Sequence, residues 1–112
     1  MKKIYLCGIA VMLLGTIVLW AERSSGIEYE LGEKLYNDKC NLCHGRQGDG
    51  NGPAAVAFSP KPANFTDPKF WQSIDDKKIA DTIRKGHGMM PAFDLSPEQI
   101  KAITEYLNHF KK

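Results

Sequence analysis

The chain has 112 residues, which suits a single small domain, and its formal net charge is +2. Lys2 and Lys3 precede a long apolar run, and residues 22–112 hold thirteen basic and thirteen acidic side chains. A body with balanced charge gives no indication of nucleic-acid binding. About ninety residues bury only a modest core, so the core alone supplies limited stability.

The N-terminus combines a short basic stretch with an apolar segment that extends to residue 21. Signal-peptide cores usually run about 7 to 15 residues and membrane spans need roughly 17 to 25. Residues 1–21 are therefore either a cleaved signal peptide or an uncleaved N-terminal membrane anchor. In both cases Lys2 and Lys3 stay in the cytoplasm. We expect the rest of the chain to be exported to a bacterial periplasm, and to be anchored to the inner membrane if the segment is retained.

Residues 22–27 form a predicted linker, and the folded domain is expected over 28–112. A first helix is predicted over 28–37, where apolar residues define one side. Gly32 lies inside it, although a mid-helix glycine costs about 1 kcal/mol relative to alanine. Either another backbone or a ring approaches closely here, or the glycine is tolerated near a frayed helix end.

Residues 40–44 have the sequence Cys-Asn-Leu-Cys-His, which is the attachment pattern of c-type haem. Cys40 and Cys43 can form thioethers with the two vinyl groups of a haem, and His44 can ligate the iron as proximal ligand. A zinc site would need a second pair of ligands, which the sequence lacks at suitable spacing. A thioredoxin-like dithiol would need a βαβ context. We therefore predict one covalently attached haem c.

A glycine-rich stretch at 45–53 follows this motif. Its glycines permit tight turns and close packing against a cofactor. It lacks the Gly-Lys-Ser/Thr end of a phosphate-binding loop, and Pro53 stands where a calcium loop needs an oxygen ligand. We predict a packing loop, then a short helical turn at 54–58 and an irregular proline-rich segment at 59–68.

The next segment carries aromatic residues and a second predicted helix. Phe65, Phe70 and Trp71 are expected to line the core or the cofactor, and the Trp71 indole N–H could instead donate to a haem propionate. Asp75 is a good N-cap and Gly86 a good C-terminal stop, which together predict a helix between them.

The last predicted helix is the most clearly marked. Ser96 is its N-cap, Pro97 its first helical residue, and Gln99 completes a capping box. Apolar residues then recur at helical spacing: Ile100, Ile103, Tyr106, Leu107 and Phe110. No segment has the alternation typical of a strand, so the sequence predicts an all-α domain.

The loop before this helix offers ligands for the sixth iron position. Its sequence at 86–93, Gly-His-Gly-Met-Met-Pro-Ala-Phe, contains His87, Met89 and Met90. Thioether and imidazole are both known axial ligands of haem iron. His109 lies beside the C-terminal lysines, where a solvated side chain is expected. From these residues alone, Met90, Met89, His87 and an open sixth position are all possible.

With these motifs, the sequence from about Glu28 to Phe110 resembles the class I, monohaem cytochromes c of the bacterial type. The resemblance rests on Gly32-x-x-x-Tyr36, Cys40-Asn41-Leu42-Cys43-His44-Gly45, Gly52-Pro53-Ala54, Lys61-Pro62-Ala63-Asn64-Phe65, Met90-Pro91-Ala92-Phe93 and Tyr106-Leu107. It implies the all-α cytochrome c fold, in which three to four short helices with Gly/Pro-rich loops surround one covalently attached haem.

The resemblance also implies roles for individual residues. His44 and Met90 would be the axial ligands. Gly32 and Tyr106 would meet where the first and last helices cross, and the carbonyl of Pro53 would accept the proximal imidazole N–H. We therefore expect Gly32, Pro53 and Tyr106 at the haem pocket.

The expected function is electron transfer in a respiratory chain, by a periplasmic protein that carries single electrons on its haem. Two axial ligands leave no site for a substrate, so we expect no catalysis. Redox partner proteins would be met transiently. The following basic residues either ring the haem edge or are ordinary solvated charges: Lys61, Lys69, Lys77, Lys78, Arg84 and Lys85.

Two alternative functions stay open. One is a membrane-anchored haem subunit of a respiratory complex, which a retained segment 1–21 would support. The other is a haem enzyme or gas sensor with an open sixth coordination site.

Overall fold

A computed structural model describes residues 24–111, which fold into short α-helices joined by loops. Among these residues, α1 covers 24–39 and is followed by α2 at Asn41–His44, α3 at Pro68–Ser73, α4 at Asp76–Lys85 and α5 at Pro97–Asn108, with a 3-10 turn at Ala55–Ala57. Within 24–111 the only β-type pairing is an isolated bridge between His87 and Met90, and there is no strand. The all-α prediction is confirmed.

Helix α1 is longer than the sequence indicates. Residues 24–27, which we expected to belong to a linker, are already helical, and the helix continues to residue 39. A run without proline lets the helix extend past the apolar stripe that predicted it. The predicted leader at 1–21 and the start of the linker lie outside the described residues, so their fate stays a prediction.

Helix α3 was not predicted, because the proline-rich segment before it favours irregular structure. Asp67 caps the helix by accepting the backbone N–H of Lys69 at 2.9 Å, and Pro68 occupies its first turn. Proline is tolerated there since a first-turn N–H has no partner within the helix. Proline, which breaks a helix when it lies in the interior, is therefore the first residue of α3.

Helices α4 and α5 begin at their predicted N-caps, and α4 also ends at its predicted glycine. Asp75 accepts the backbone N–H of Lys78 at 2.7 Å, and Gly86, at φ 74°, ends α4. Ser96 and Gln99 form the reciprocal capping box of α5, with hydrogen bonds of 3.2 and 3.0 Å. Capping residues of this kind each contribute about 1 kcal/mol to the free energy of unfolding.

Helices α1 and α5 contact each other closely at Gly32. A Cβ atom on Gly32 would overlap the Ala102 carbonyl oxygen and lie 2.8 Å from the Tyr106 Cβ. The Tyr36 and Tyr106 rings pack beside this contact, with centroids 5.2 Å apart. Gly32 is thus present because the helices approach closely, and the predicted meeting of Gly32 with Tyr106 is confirmed.

The core lies between α1, α4, α5 and the segment that precedes α3. Its buried members are Leu35, Tyr36, Phe65, Ile79, Ile83, Ile100, Ile103, Tyr106, Leu107 and Phe110. Among the helices of residues 24–111, none has the length and apolar character needed to cross a membrane.

We predict that Gly32→Ala lowers the free energy of unfolding by about 2 kcal/mol, because the new methyl group forces α1 away from α5. The matched control is Gly26→Ala, in the same helix, where a Cβ meets nothing within 4 Å. The control is expected to be neutral or to stabilise by up to about 1 kcal/mol through helix propensity. Urea unfolding followed by circular dichroism measures both. Equal stabilities of the two variants would contradict the close contact.

Candidate haem-binding site

The Cys40–His44 motif continues directly from the end of α1. The Cys40 N–H donates to the Tyr36 carbonyl at 2.8 Å, and the His44 N–H donates to the Cys40 carbonyl at 2.9 Å. One helical turn separates Cys40 from His44, so both side chains project from the same face. Both line the same cleft, whereas the Leu42 side chain is 59% exposed.

This cleft has a volume of about 480 Å³ when its open side is included. No acidic residue, lysine or arginine lines it, and its walls are aromatic and aliphatic: Tyr36, Phe65, Phe70, Ile74, Ile79, Ile83, Ile103 and Leu107. Its aromatic and aliphatic lining is that of a site for an apolar ligand. The polar or soft groups that reach it include His44, Cys40 and Met90.

The His44 imidazole is held at two points. Its Nδ1 lies 3.1 Å from the Ala63 carbonyl oxygen, and its ring stacks on Phe65 with centroids 4.7 Å apart. A carbonyl can only accept, so Nδ1 carries the proton and Nε2 keeps its lone pair. Burial lowers the pKa of His44, and the Ala63 carbonyl opposes this only in part. The ring is therefore neutral and ready to bind a metal through Nε2.

The prediction that Pro53 supplies this carbonyl is wrong. Pro53 is exposed, and the N–H groups of its neighbours Gly52 and Ala54 donate to the carbonyls of Cys43 and Leu42 at 3.0 and 2.9 Å. These bonds hold residues 52–54 along the backbone of α2, away from the His44 ring.

Ala63 takes the place predicted for Pro53, because the glycine-rich loop packs against the segment that contains it. Gly50 has φ 78°, and a Cβ there would lie 2.6 Å from the Pro62 carbonyl oxygen. Only glycine adopts this conformation freely and also permits such a close approach. The packing-loop interpretation of 45–53 agrees with this contact.

The loop after α4 separates the three candidates for the sixth ligand. Met90 is half-buried and lines the cleft, while Met89 is 59% exposed and His87 is also exposed. His87 and Met90 pair through their backbones, with N–H to carbonyl distances of 3.0 and 2.9 Å. This tight pairing presents one methionine to the cleft and leaves its neighbour outside.

The Cys40 thiol lacks the lowered pKa of a reactive redox cysteine. Cys40 and Cys43 are free, and burial, with a smaller contribution from Cys43, raises the pKa of Cys40 to about 11 despite nearby Lys39. Reactive dithiols have lowered pKa values. Over residues 24–111 no three or more His, Cys, Asp or Glu side chains lie together in a way that could hold a metal ion.

Several other expected site residues lie elsewhere. Gly32 and Tyr106 do not line the cleft and instead form the contact between α1 and α5. The Trp71 indole N–H donates to the Phe65 carbonyl at 2.7 Å and is not free for a propionate. His109 is exposed and stacks on Tyr106. None of the basic residues proposed to ring the haem edge lines the cleft.

The residues of the cleft fit a c-type haem. A neutral imidazole, a thioether and a thiol reach one apolar space, which is the ligand chemistry that this cofactor needs. Sequence reasoning missed Ala63 and the stacking role of Phe65. A signal was present, since both belong to the Lys-Pro-Ala-Asn-Phe stretch at 61–65.

Comparison with known proteins agrees with this arrangement. Residues 28–107 match the family described as cytochrome C oxidase, cbb3-type, subunit III. The cbb3-type cytochrome c oxidase subunit FixP of Bradyrhizobium diazoefficiens is 33% identical over 86 residues, and that of Bradyrhizobium sp. strain ORS 278 is 30% identical over 86 residues. Each alignment covers 74% of this chain and 28% of the relative. The chain thus spans about a quarter of the length of these curated relatives.

The match covers the attachment motif, the cleft and the methionine loop, and a c-type cytochrome domain implies a c-type haem. The family match is also more specific than the resemblance to class I cytochromes c. The chain belongs to the cbb3-type cytochrome c oxidase subunit III family, as a c-type cytochrome domain.

Proposed function

We propose that this chain is an electron-transfer haem domain that works within a membrane respiratory complex of the cbb3-oxidase kind. It would carry one haem, attached through Cys40 and Cys43 and ligated by His44 and Met90. The observation that carries the proposal is the apolar cleft that the neutral His44 ring and the Met90 thioether line together.

The bound haem supplies one-electron chemistry, and the chain's own residues set its conditions. Ala63 fixes the tautomer and plane of His44. The Met90 thioether favours ferrous iron and raises the reduction potential relative to a second histidine. The apolar walls exclude water, which works in the same direction because a low dielectric disfavours the extra charge of the ferric state.

Membership in the subunit III family supports a complex over a freely diffusing carrier, because the two relatives are named as oxidase subunits. In this proposal segment 1–21 is retained as an anchor, the domain faces the periplasm, and its electron partners are neighbouring subunits as well as transient donors. The position of Met90 in the cleft disfavours an open sixth site, so we propose that the chain has no catalytic activity of its own.

We predict that Met90→Ala abolishes the weak red absorption band of a sulfur-to-ferric-iron bond and lets the ferrous protein bind carbon monoxide. The reduction potential should fall by on the order of 0.1 V, a fraction of the range of about 0.8 V that axial ligands span. Met89→Ala is the matched control and should change neither property. Loss of the band in the Met89 variant alone would show that the ligand is misassigned.

We predict that the double variant Cys40→Ser, Cys43→Ser holds no haem that survives denaturing electrophoresis, since serine forms no thioether. Cys7→Ser, the same change at the remaining cysteine, should keep full haem staining in the gel. Haem staining of the double variant equal to the wild type would rule out covalent attachment at this motif.

We predict that in its native host the chain sediments with the membrane and co-purifies with terminal oxidase subunits in mild detergent. Intact-mass measurement should find residues 1–21 still present. A soluble periplasmic protein that starts after residue 21 and binds no oxidase subunit would overturn the complex and leave the diffusing carrier.

A further inference from the structure

One short segment, residues 63–65, makes both contacts that fix the His44 ring. The Ala63 carbonyl lies 3.1 Å from Nδ1, and the Phe65 ring stacks on the imidazole at 4.7 Å with an interplanar angle of 21°. A shift of this segment would move the hydrogen-bond acceptor and the stacking surface together. The plane and basicity of the imidazole therefore depend on what holds residues 63–65 in place.

Two hydrogen bonds hold the segment at Phe65. Its N–H donates to the Gly48 carbonyl at 2.6 Å, and its carbonyl accepts the Trp71 indole N–H at 2.7 Å. The first bond is between backbones, whereas the second depends on a single side chain. Trp71 is half-buried and is itself fixed, because its ring packs edge-on against Phe70 at 5.1 Å and lies 4.8 Å below the Lys111 ammonium.

We propose that Trp71 is a positioning residue for the proximal ligand: through its hydrogen bond to Phe65 it sets the orientation and basicity of His44. This rests on the proposed function in that His44 ligates iron. A ring N–H held firmly by a carbonyl makes the imidazole a stronger donor, which stabilises ferric iron. Loosening the segment weakens that bond, so the reduction potential rises.

The test is Trp71→Phe in the haem-loaded full chain, since phenylalanine keeps an aromatic ring between Phe70 and Lys111 but removes the N–H. Exchange of the His44 ring proton with solvent, measured by NMR, should become about tenfold faster, as for loss of one hydrogen bond. At a fixed ambient potential the ferric-to-ferrous ratio should fall about threefold, which is about 28 mV at 59 mV per tenfold.

Two further variants separate positioning from stability. Gly32→Ala weakens the contact between α1 and α5 without touching residues 63–65, so it should lower the stability but leave both the ring-proton exchange and the potential unchanged. Trp71→His restores a ring N–H, and both values should return toward the wild type. If Trp71→Phe yields too little folded protein, Trp71→Leu, which also lacks the N–H donor, replaces it with the same expected changes.

Wild-type exchange and potential in Trp71→Phe would overturn the positioning role, as would equal changes in Gly32→Ala. Failure of the proposed function would look different, because the wild type itself would then lack a low-spin haem with a methionine ligand before any variant at Trp71 is compared.

Discussion

The hydrogen bond between His44 Nδ1 and the Ala63 carbonyl is the constraint on which the rest of the site depends. It fixes the imidazole tautomer, and so determines that Nε2 carries the lone pair in a buried, apolar cleft. The bond forms only because a loop with positive-φ glycines lets the segment at 62–65 lie against the end of the attachment motif. Backbone geometry thus orients the His44 ring toward the cleft.

Helices α1 and α5 position the attachment motif that carries this bond. Helix α1 leads straight into the motif, and its contact with α5 at Gly32 brings the Tyr36 and Tyr106 rings into the core. Tyr36 also donates to the Gly45 carbonyl at 2.6 Å, which ties the core to the residue after His44. Burial raises the pKa of Tyr36, so its hydroxyl stays protonated and remains a donor. Core packing thus holds the chain at residue 45, whereas residues 63–65 hold the His44 ring itself.

A structural feature can be predicted from the sequence when a particular side chain forms it, and is hard to predict when a main-chain atom does. Asp75 and Ser96 reveal their helices because capping needs a particular side-chain oxygen. Helix α3 escaped prediction since Pro68 can either end or begin a helix. The carbonyl that accepts the His44 N–H has no side-chain signature. The sequence therefore favours Pro53 as its source, whereas the structure shows Ala63 there. Met89 and Met90 have the same chemistry, and only the folded loop shows which one reaches the cleft.

A main-chain acceptor has a consequence for how this domain can diverge. Every residue type carries a carbonyl oxygen, so substitution at position 63 does not by itself remove the acceptor for His44. A substitution is harder to accommodate at positions that shape the path of the chain, such as Gly50, where a Cβ would lie 2.6 Å from the Pro62 carbonyl oxygen. A site built in this way can keep its backbone acceptor while most of its side chains are replaced, as sequence identities of 30% and 33% with the relatives would require.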